Sequence, residues 1–314
     1  MQTSYNHLNI KIATRKSPLA MWQATAIKSL IEKAFPGSEC SLVPVDTTGD
    51  KKSDISLAEI KGIGVFATEV REAVLEGLAD IAVHSAKDLP ADPYPGLKLA
   101  CIPKRGDPRD ALVGSHLKDL KLNATVATGS QRRKSQLKKL RPDLNFIDLR
   151  GNISTRLKKI PENGAVLMAY VALVRLNLLD KNIVDLLPID IFTPQVGQGA
   201  LACECASTND ELQELLRQIG DEVSYAEVMA ERSFLSSMGG GCSSAIGAFC
   251  KEVDKNMESF EGSRFNMQAM LANDDGSILV RESFISESNE SPESFGVRVA
   301  AAMKLAAKEI GLSW

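Results

Sequence analysis

The sequence has few of the residues that build metal sites and disulfide frameworks. Its 314 residues include only three histidines, and its six cysteines form no Cys-x-x-Cys pair. A structural zinc site, a histidine-rich metal centre and a disulfide framework all need spacings that this chain lacks. We therefore expect no metal, and a Ser-His-Asp or Cys-His catalytic system would have to use His7, His84 or His116.

Long apolar runs are also missing. No segment approaches the roughly 20 apolar residues that a membrane-spanning helix needs. The first 16 residues carry polar side chains where a signal peptide would have its apolar region. We therefore expect no membrane interaction and a cytoplasmic location.

The hydrophobic pattern of the first 220 residues predicts α/β structure. Apolar residues alternate at positions 8, 10 and 12 as in a strand, and Ser17 with Pro18 predicts the start of a helix that ends before Pro36. Strands and helices alternate again over residues 124–168, with one helix over 131–140. This alternation is typical of mainly parallel sheets, so we expect two α/β units.

The pattern changes near residue 220. Ser224 and Glu227 have the spacing of a capping box, which predicts a helix that opens at Ser224 and runs through Phe234. Strict alternation over residues 265–271, a turn at 274–276 and a second apolar segment predict a hairpin. With a last helix expected near residues 292–310, these elements predict a small α+β unit that has an antiparallel sheet and helices on one face.

Positive charge is concentrated in one segment of an acidic protein. Residues 131–160 hold ten lysines and arginines against two aspartates, whereas the whole chain has a net charge of −3. Such asymmetry indicates a focused anion site. The segment has a single aromatic residue, Phe146, whereas proteins that bind single-stranded nucleic acid stack bases on several, so we expect no nucleic-acid partner.

Position divides these cations into two groups. Residues 128–133 lie where a predicted strand gives way to a helix, and residues 150–152 repeat that arrangement at the next strand. Ligands of open α/β sheets collect at such strand ends, where helix N-termini attract anions. We expect the arginines there to bind the carboxylates or phosphates of a small ligand. The side chains expected on a solvated helix face are Lys138, Lys139, Lys158 and Lys159.

Two further segments are open to two interpretations. A predicted strand leads into residues 84–90, where Lys87 and Asp88 form either part of a ligand site or a turn with a surface lysine. Cys242 follows three glycines. This segment is either a loop that can approach a ligand closely or the surroundings of a buried thiol without a function.

Six motifs occur in order along nearly the whole chain. They are ATRKSPLA at 13–20, DIAVHSAKDLP at 80–90, DPRDA at 107–111, LRGN at 149–152, VGQGA at 196–200 and GGC at 240–242. Together they resemble the successive motifs of the porphobilinogen deaminase family, also called hydroxymethylbilane synthases.

The resemblance implies a three-domain transferase of tetrapyrrole (haem) biosynthesis. Two α/β domains similar to type II periplasmic binding proteins are expected at 1–103 with 198–219 and at 104–197, and an α+β domain at 220–314. The family condenses four porphobilinogen molecules head to tail, releases ammonia at each step, and hydrolyses off hydroxymethylbilane. Its members are monomers, and the product passes to uroporphyrinogen-III synthase.

The resemblance also implies roles for individual residues. Asp88 matches the catalytic carboxylate, and Cys242 matches the cysteine that carries a dipyrromethane cofactor through a thioether. The other positions that match cofactor-binding residues are Lys87, Ser85, Thr128, Ser130, Arg132, Arg133, Arg150 and Gly151. The positions that match substrate-binding residues are Arg15, Ser17, Gln23, Phe66, Arg156, Arg175 and Gln198.

Several positions near the expected site depart from the family pattern. The usual Gly-Thr-Ser-Ser-Leu-Arg-Arg is Ala127-Thr128-Gly129-Ser130-Gln131-Arg132-Arg133 here, and the usual Gly-Gly-Lys-Gly is Lys61-Gly62-Ile63-Gly64. Thr48 stands for an arginine and Ala245 for a proline. These departures bear on binding strength, loop behaviour and turnover, whereas Asp88 and Cys242 match the family.

Two other functions are alternatives to this transferase. A binding protein or effector sensor could keep the two α/β units and the anion pocket without the chemistry. The lack of a secretion signal argues against a periplasmic binding protein, and Asp88 with Cys242 argues against a sensor. Nucleic-acid binding through residues 131–160 is opposed by the scarcity of aromatic residues and by the acidic remainder of the chain.

Overall fold

The computed structural model describes residues 8–48, 67–180, 183–239, 245–253 and 264–312. The chain divides into two compact units, Met1–Arg105 with Ala200–Tyr225 and Gly106–Gly199 with Ala226–Trp314. This division groups the C-terminal sheet with residues 106–199, so the three expected domains stay a prediction.

Strands and helices alternate along most of the described chain. The strands are β1 (Asn9–Arg15), β2 (Glu39–Val45), β3 (Ile81–Ser85), β4 (Leu97–Cys101), β5 (Asp110–Val113), β6 (Thr125–Ala127), β7 (Asn145–Ile147), β8 (Ala165–Ala169), β9 (Val184–Leu186), β10 (Leu201–Ala206), β11 (Ile246–Glu252), β12 (Phe265–Ala272) and β13 (Leu279–Ile285). The α-helices are α1 (Pro18–Ala34), α2 (Thr68–Leu75), α3 (Gln131–Leu140), α4 (Ile153–Leu157), α5 (Tyr170–Arg175), α6 (Asp210–Gln218), α7 (Glu222–Met238) and α8 (Pro292–Glu309).

The described strands form three sheets. Their orders are β2-β1-β3-β10-β4, β7-β6-β8-β5-β9 and β11-β12-β13. In each five-stranded sheet the strand in the fourth position, β10 or β5, is antiparallel to both neighbours, and the other four strands run in one direction. The expected mainly parallel sheets are therefore confirmed, and the reversed strand in each was not predicted.

Helix α1 begins as the sequence predicts. Ser17 is its N-cap, and the Ser17 hydroxyl accepts the Ala20 N–H at 3.3 Å, while Pro18 occupies the first helical position. The buried side chains Ala24, Ile27 and Ile31 recur at helical spacing and pack against β1 and β3. This packing holds the carboxyl ends of β1 and β3 beside the start of α1.

The C-terminal sheet is antiparallel and carries two helices on one face, as expected. The predicted hairpin is formed by β12 and β13, and β11 pairs with β12 on its other side. Phe234 from α7 and Phe295 from α8 are fully buried in one cluster with Met267 of β12. Burial of these large apolar side chains is the main force that closes the helices onto the sheet.

The capping-box prediction at Ser224 is wrong. Helix α7 begins two residues earlier, at Glu222, and the Asp221 carboxylate accepts the Ser224 N–H at 2.8 Å. The Ser224 hydroxyl instead accepts the N–H of Arg105 at 3.0 Å. An aspartate at the preceding position thus provides the cap, and the serine is left to hold a distant loop.

Candidate active site

Five predicted site residues line one pocket of the first unit. Arg15 ends β1, Ser17 caps α1, Ser85 ends β3, Asp88 lies in the 3-10 turn that follows β3, and Gln23 comes from α1. β1 and β3 are parallel neighbours, so their carboxyl ends meet at one edge of the sheet. The fold therefore brings together groups that the family resemblance assigns to substrate, cofactor and catalysis.

Hydrogen bonds fix part of this pocket. The Gln23 Nε2 donates to the Ser85 Oγ at 2.7 Å, which orients both side chains. Asp88 is half-buried, and Lys87 is its neighbour in the same turn, outside the residues that line the pocket. A carboxylate beside a guanidinium, a hydroxyl and an amide can bind a ligand that carries both carboxylates and positive charge.

A buried ion pair supports the pocket wall. The Glu204 carboxylate of β10 accepts from Arg71 Nε at 2.7 Å and Arg71 Nη2 at 2.8 Å, and both side chains are almost fully buried. His84 also lines the pocket, and its Nε2 lies 3.3 Å from Glu204 Oε2. Burial alone would raise the pKa of Glu204, but His84 and Arg71 outweigh it and lower that pKa to about 2.

A second buried cluster lies in the other unit, around Asp110 at the start of β5. Arg132 Nη1 donates to Asp110 Oδ2 at 2.8 Å, and Arg133 Nε donates to Asp110 Oδ1 at 2.8 Å. Gln198 Nε2 also donates to Asp110 Oδ1, at 3.1 Å. Burial alone would raise the pKa of Asp110, but the two guanidiniums hold it well below its usual range.

The Asp110 cluster has more positive than negative charge. Two guanidiniums face one carboxylate, and Gln198 is neutral. Arg132 is only 3% exposed, yet its Nε and Nη2 have no hydrogen-bond partner among the described residues. Each buried donor without a partner costs about 1 to 3 kcal/mol, and more when it is charged. An incoming carboxylate would satisfy both the donors and the excess charge.

The remaining predicted residues of this unit lie at strand ends or on short helices. Thr128 is buried and its hydroxyl accepts the Ser130 N–H at 3.3 Å, and Ser130 makes no side-chain cap for α3. Arg156 Nε donates to the Gly151 carbonyl at 2.7 Å. Arg150, also predicted to bind the cofactor, is half-buried next to Gly151.

Arg175 is another predicted residue with a backbone partner. Its Nη2 donates to the Gly199 carbonyl at 2.7 Å. Burial lowers the pKa of its guanidinium to about 10.

The lysines assigned to a solvated face are placed as expected. Lys139, Lys158 and Lys159 are exposed, and Lys138 is half-exposed. Arg141, which adds to the local charge, pairs instead with Asp143 and with backbone carbonyls.

Several predictions fall on residues outside the described ranges or on departures from the family pattern. Cys242, Phe66 and residues 61–64 lie outside the described residues. Thr48 donates through its N–H and its hydroxyl to Glu69 Oε1, both at 2.6 Å. Ala245 is buried beside β12. A Cβ at Gly129 would lie 3.1 Å from the Leu149 carbonyl oxygen, so the backbone approaches closely where the family usually has serine.

Two features with wide consequences were not predicted. Asp110 lies in one of the family motifs, and its position at the start of a buried strand is a signal for a buried ion pair. The pairing of Arg71 with Glu204 has no local signal, because the two residues are 133 apart in the sequence. Within the described residues, no three His, Cys, Asp or Glu side chains group as metal ligands. No helix of these ranges has both the length and the apolar character to cross a membrane.

Two family profiles match the chain and leave little of it uncovered. One, described as porphobilinogen deaminase, dipyromethane cofactor binding domain, matches residues 10–214. The other, described as porphobilinogen deaminase, C-terminal domain, matches residues 225–305. The chain belongs to the porphobilinogen deaminase family. It is therefore a transferase with the cofactor-binding domain of that family, as the resemblance implied.

Curated relatives agree with this assignment. The porphobilinogen deaminase of Geotalea uraniireducens is 40% identical over 295 residues, which is 93% of this chain and 90% of the relative. The porphobilinogen deaminase of Syntrophotalea carbinolica is 38% identical over 299 residues, which is 94% of this chain and 92% of the relative.

Acid should weaken the Glu204 ion pair in a defined pH range. The folded-state pKa of about 2 lies below the ordinary value of 4.5, so the ionised Glu204 stabilises the fold above about pH 4.5, and this contribution is lost as the pH falls towards 2. Glu204→Gln leaves Arg71 buried without a counter-ion, which should cost about 3 to 5 kcal/mol at pH 7. We expect the difference in unfolding free energy between wild type and Glu204→Gln to narrow over that range, as measured by denaturant titration.

Glu214→Gln provides the control for this measurement. Glu214 pairs with Arg217 on the exposed side of α6, so its removal should cost less than about 1 kcal/mol at every pH. If the difference in unfolding free energy between wild type and Glu204→Gln stayed constant between pH 5 and 2.5, the assigned ionised state of Glu204 would be contradicted.

Proposed function

We propose that this family member condenses four porphobilinogen molecules head to tail onto a dipyrromethane carried by Cys242, loses ammonia at each step, and hydrolyses off hydroxymethylbilane. The family match supports this reaction. The observation that carries it is the pocket at the ends of β1 and β3, where Asp88 lies with Arg15, Ser17, Gln23 and Ser85. This pocket combines one carboxylate with groups that bind carboxylates, which suits a substrate that has acidic side chains and a cationic leaving group.

Asp88 is proposed as the catalytic residue. Positive charge develops on the pyrrole nitrogen when ammonia leaves, and a carboxylate fixed beside it stabilises that charge. The same group can take up and return a proton during coupling. Asp88 lies in the short turn after the carboxyl end of β3 and is half-buried. Its interaction with a nearby positive charge is therefore stronger than it would be in bulk water.

Arg15, Ser17 and Gln23 are proposed to bind and orient substrate. The guanidinium of Arg15 offers a planar pair of donors that matches a carboxylate. Ser17 adds a hydroxyl, and the Gln23 amide holds the hydroxyl of Ser85, which is proposed to bind the cofactor. Lys87, from the same turn as Asp88, is proposed to pair with a cofactor carboxylate. Phe66 is proposed to bind substrate.

The Asp110 cluster fits a ligand with several carboxylates, as a dipyrromethane is. When bound, that group would supply the terminal pyrrole carbon to which the first substrate ring is joined. Arg132 would hold one of its carboxylates through Nε and Nη2, the buried donors that have no partner among the described residues. The residues proposed to hold the others are Arg133, Thr128, Ser130, Arg150 and Gly151.

Three further residues have proposed roles in this unit. Arg156 and Arg175 are proposed to receive substrate carboxylates. Gln198 is fully buried, and its Nε2 donates to Asp110 Oδ1 and to the Pro108 carbonyl. Its proposed role is therefore to fix the cluster rather than to contact substrate. We further propose a cytoplasmic monomer whose product is consumed by uroporphyrinogen-III synthase.

Intact mass tests the attachment to Cys242. Protein from a host that makes porphobilinogen should be heavier than the bare chain by two pyrrole units, and Cys242→Ser should have the bare mass. Cys250→Ser is the control, because Cys250 is buried in the C-terminal core and should leave the adduct in place. A wild-type mass equal to that of the bare chain would refute the attachment.

Asp88→Asn tests the catalytic assignment. An amide keeps the size of the side chain but can neither balance the cation nor exchange the proton, so turnover should fall by about 10² to 10⁴ with little loss of stability. Asp92→Asn, at an exposed position four residues on, should turn over like wild type. Turnover of Asp88→Asn within about tenfold of wild type, or roughly 1.4 kcal/mol, would make Asp88 a turn residue only.

A further inference from the structure

Helix α3 presents its arginines to Asp110 and is held elsewhere by the C-terminal hairpin. Both α3 and the β12–β13 hairpin belong to the same compact unit of the chain. Two separate sets of contacts join them. The first is centred on Thr193, and the second on the turn between β12 and β13.

Thr193 is a fully buried junction between α3 and the hairpin. Its carbonyl accepts from Arg132 Nη1 at 2.6 Å and from Gln136 Nε2 at 3.0 Å, and its N–H donates to Gln136 Oε1 at 2.7 Å. Its hydroxyl accepts from Gln268 Nε2 of β12 at 2.7 Å and from Arg281 Nε of β13 at 3.0 Å. One residue therefore links the backbone contact of Arg132 to two strands of the C-terminal sheet.

Two other contacts fix this junction. Arg281 Nη2 donates to Gln136 Oε1 at 3.0 Å, so Arg281 bridges Thr193 and α3. The backbone of β11 also approaches closely, because a Cβ at Gly247 would lie 2.8 Å from the Pro194 carbonyl oxygen and 3.0 Å from that of Thr193. The Thr193 carbonyl thus packs closely against β11, and Arg132 binds it from the helix side.

The turn between β12 and β13 forms the second set of contacts. Ser135 Oγ donates to the Asn273 carbonyl at 3.1 Å, and Gln131 Nε2 donates to the Asp274 carbonyl. Gly276 has a φ of +72°, and a Cβ there would lie 2.7 Å from the Ser135 carbonyl oxygen. Gln131 occupies the position where the family motif usually has leucine. This chain therefore has a side chain that forms a hydrogen bond to the hairpin at a position that is usually apolar.

We propose that the β12–β13 hairpin positions Arg132, and that it does so through two positioning residues, Thr193 and Arg281. Arg132 Nη1 is shared between Asp110 and the Thr193 carbonyl, which leaves Nε and Nη2 as the donors for a ligand carboxylate. The direction of those donors depends on where the Thr193 carbonyl lies. The hairpin binds the hydroxyl of the same residue and thereby restrains that carbonyl, so the C-terminal sheet sets the geometry of the free Arg132 donors.

The inference rests on the proposed role of Arg132 in cofactor binding. The test distinguishes failure of that role from failure of the positioning role of the hairpin. Full-length wild type, Arg132→Gln, Thr193→Val and Arg281→Met would be made in a host that lacks porphobilinogen. Porphobilinogen would then be added over a range of concentrations, and the growth of the adduct followed by intact mass. Thr193→Val keeps the shape of the side chain and removes only the hydroxyl, so it should fold even if Arg281→Met does not.

We expect Thr193→Val and Arg281→Met to raise the porphobilinogen concentration for half-maximal loading by about tenfold, the size of effect expected for loss of a coupled contact. The double variant Arg132→Gln/Thr193→Val should load no worse than Arg132→Gln alone, because the hydroxyl acts through Arg132. Gln213→Met is the matched control. Gln213 is a buried glutamine bonded to backbone carbonyls in the other unit, and its variant should lose stability but load like wild type.

Three results would overturn the proposal. Wild-type loading by both Thr193→Val and Arg281→Met, with Arg132→Gln impaired, would show that the hairpin only packs against α3. Additive losses in the double variant would show that Thr193 acts independently of Arg132. Wild-type loading by Arg132→Gln would remove Arg132 from the cofactor site, and the inference with it.

Discussion

The ion cluster of Asp110 with Arg132 and Arg133 is the interaction on which the second unit depends. Its buried side chains join the reversed strand β5, the helix α3 and the segment that carries Gln198. Burial of charge is costly unless the charges are paired and hydrogen-bonded. Here the pairing is incomplete by one positive charge, and the donors left over belong to Arg132. A site built in this way is organised before the ligand arrives, which reduces the ordering that binding would otherwise require.

The two units contain buried ion clusters of different composition, and the difference indicates different roles. In the first unit Arg71 and Glu204 balance each other, with His84 alongside, and the pair supports a wall of the Asp88 pocket. In the second unit the cations outnumber the anions. We infer that the balanced pair is structural, whereas the unbalanced cluster binds carboxylates. The number of buried guanidiniums per carboxylate, one on Glu204 and two on Asp110, separates these roles.

Local sequence signals predicted the local structure well. Ser17-Pro18 fixed the start of α1, the span of α3 was predicted as Gln131–Leu140, and the alternation and turn signals of the hairpin are confirmed. The signals failed where a competing residue or a distant partner decided the result. Asp221 displaced Ser224 as the cap of α7, and the reversed strands β5 and β10 pair with segments far away in the sequence.

The candidate site shows the same limit. Strand ends followed by hydroxyls and arginines predict where ligands bind, but the sequence could not show that Asp110 lies between Arg132 and Arg133, which follow it by 22 and 23 residues. Nor could it show that Thr193 ties Arg132 to Gln268 and Arg281, 75 and 88 residues from Thr193. Positions that match a family motif therefore identified the chemistry, and only the fold showed how those groups are held.

A crystal structure of the protein after loading with dipyrromethane would test the proposed role of the unbalanced cluster most directly. We expect a carboxylate oxygen of the cofactor within about 2.7 to 2.9 Å of Arg132 Nε or Nη2, with Asp110 still bound to Nη1. If every cofactor carboxylate lay on other residues and both nitrogens of Arg132 met only protein or water, the excess buried charge would have another purpose and this interpretation would be wrong.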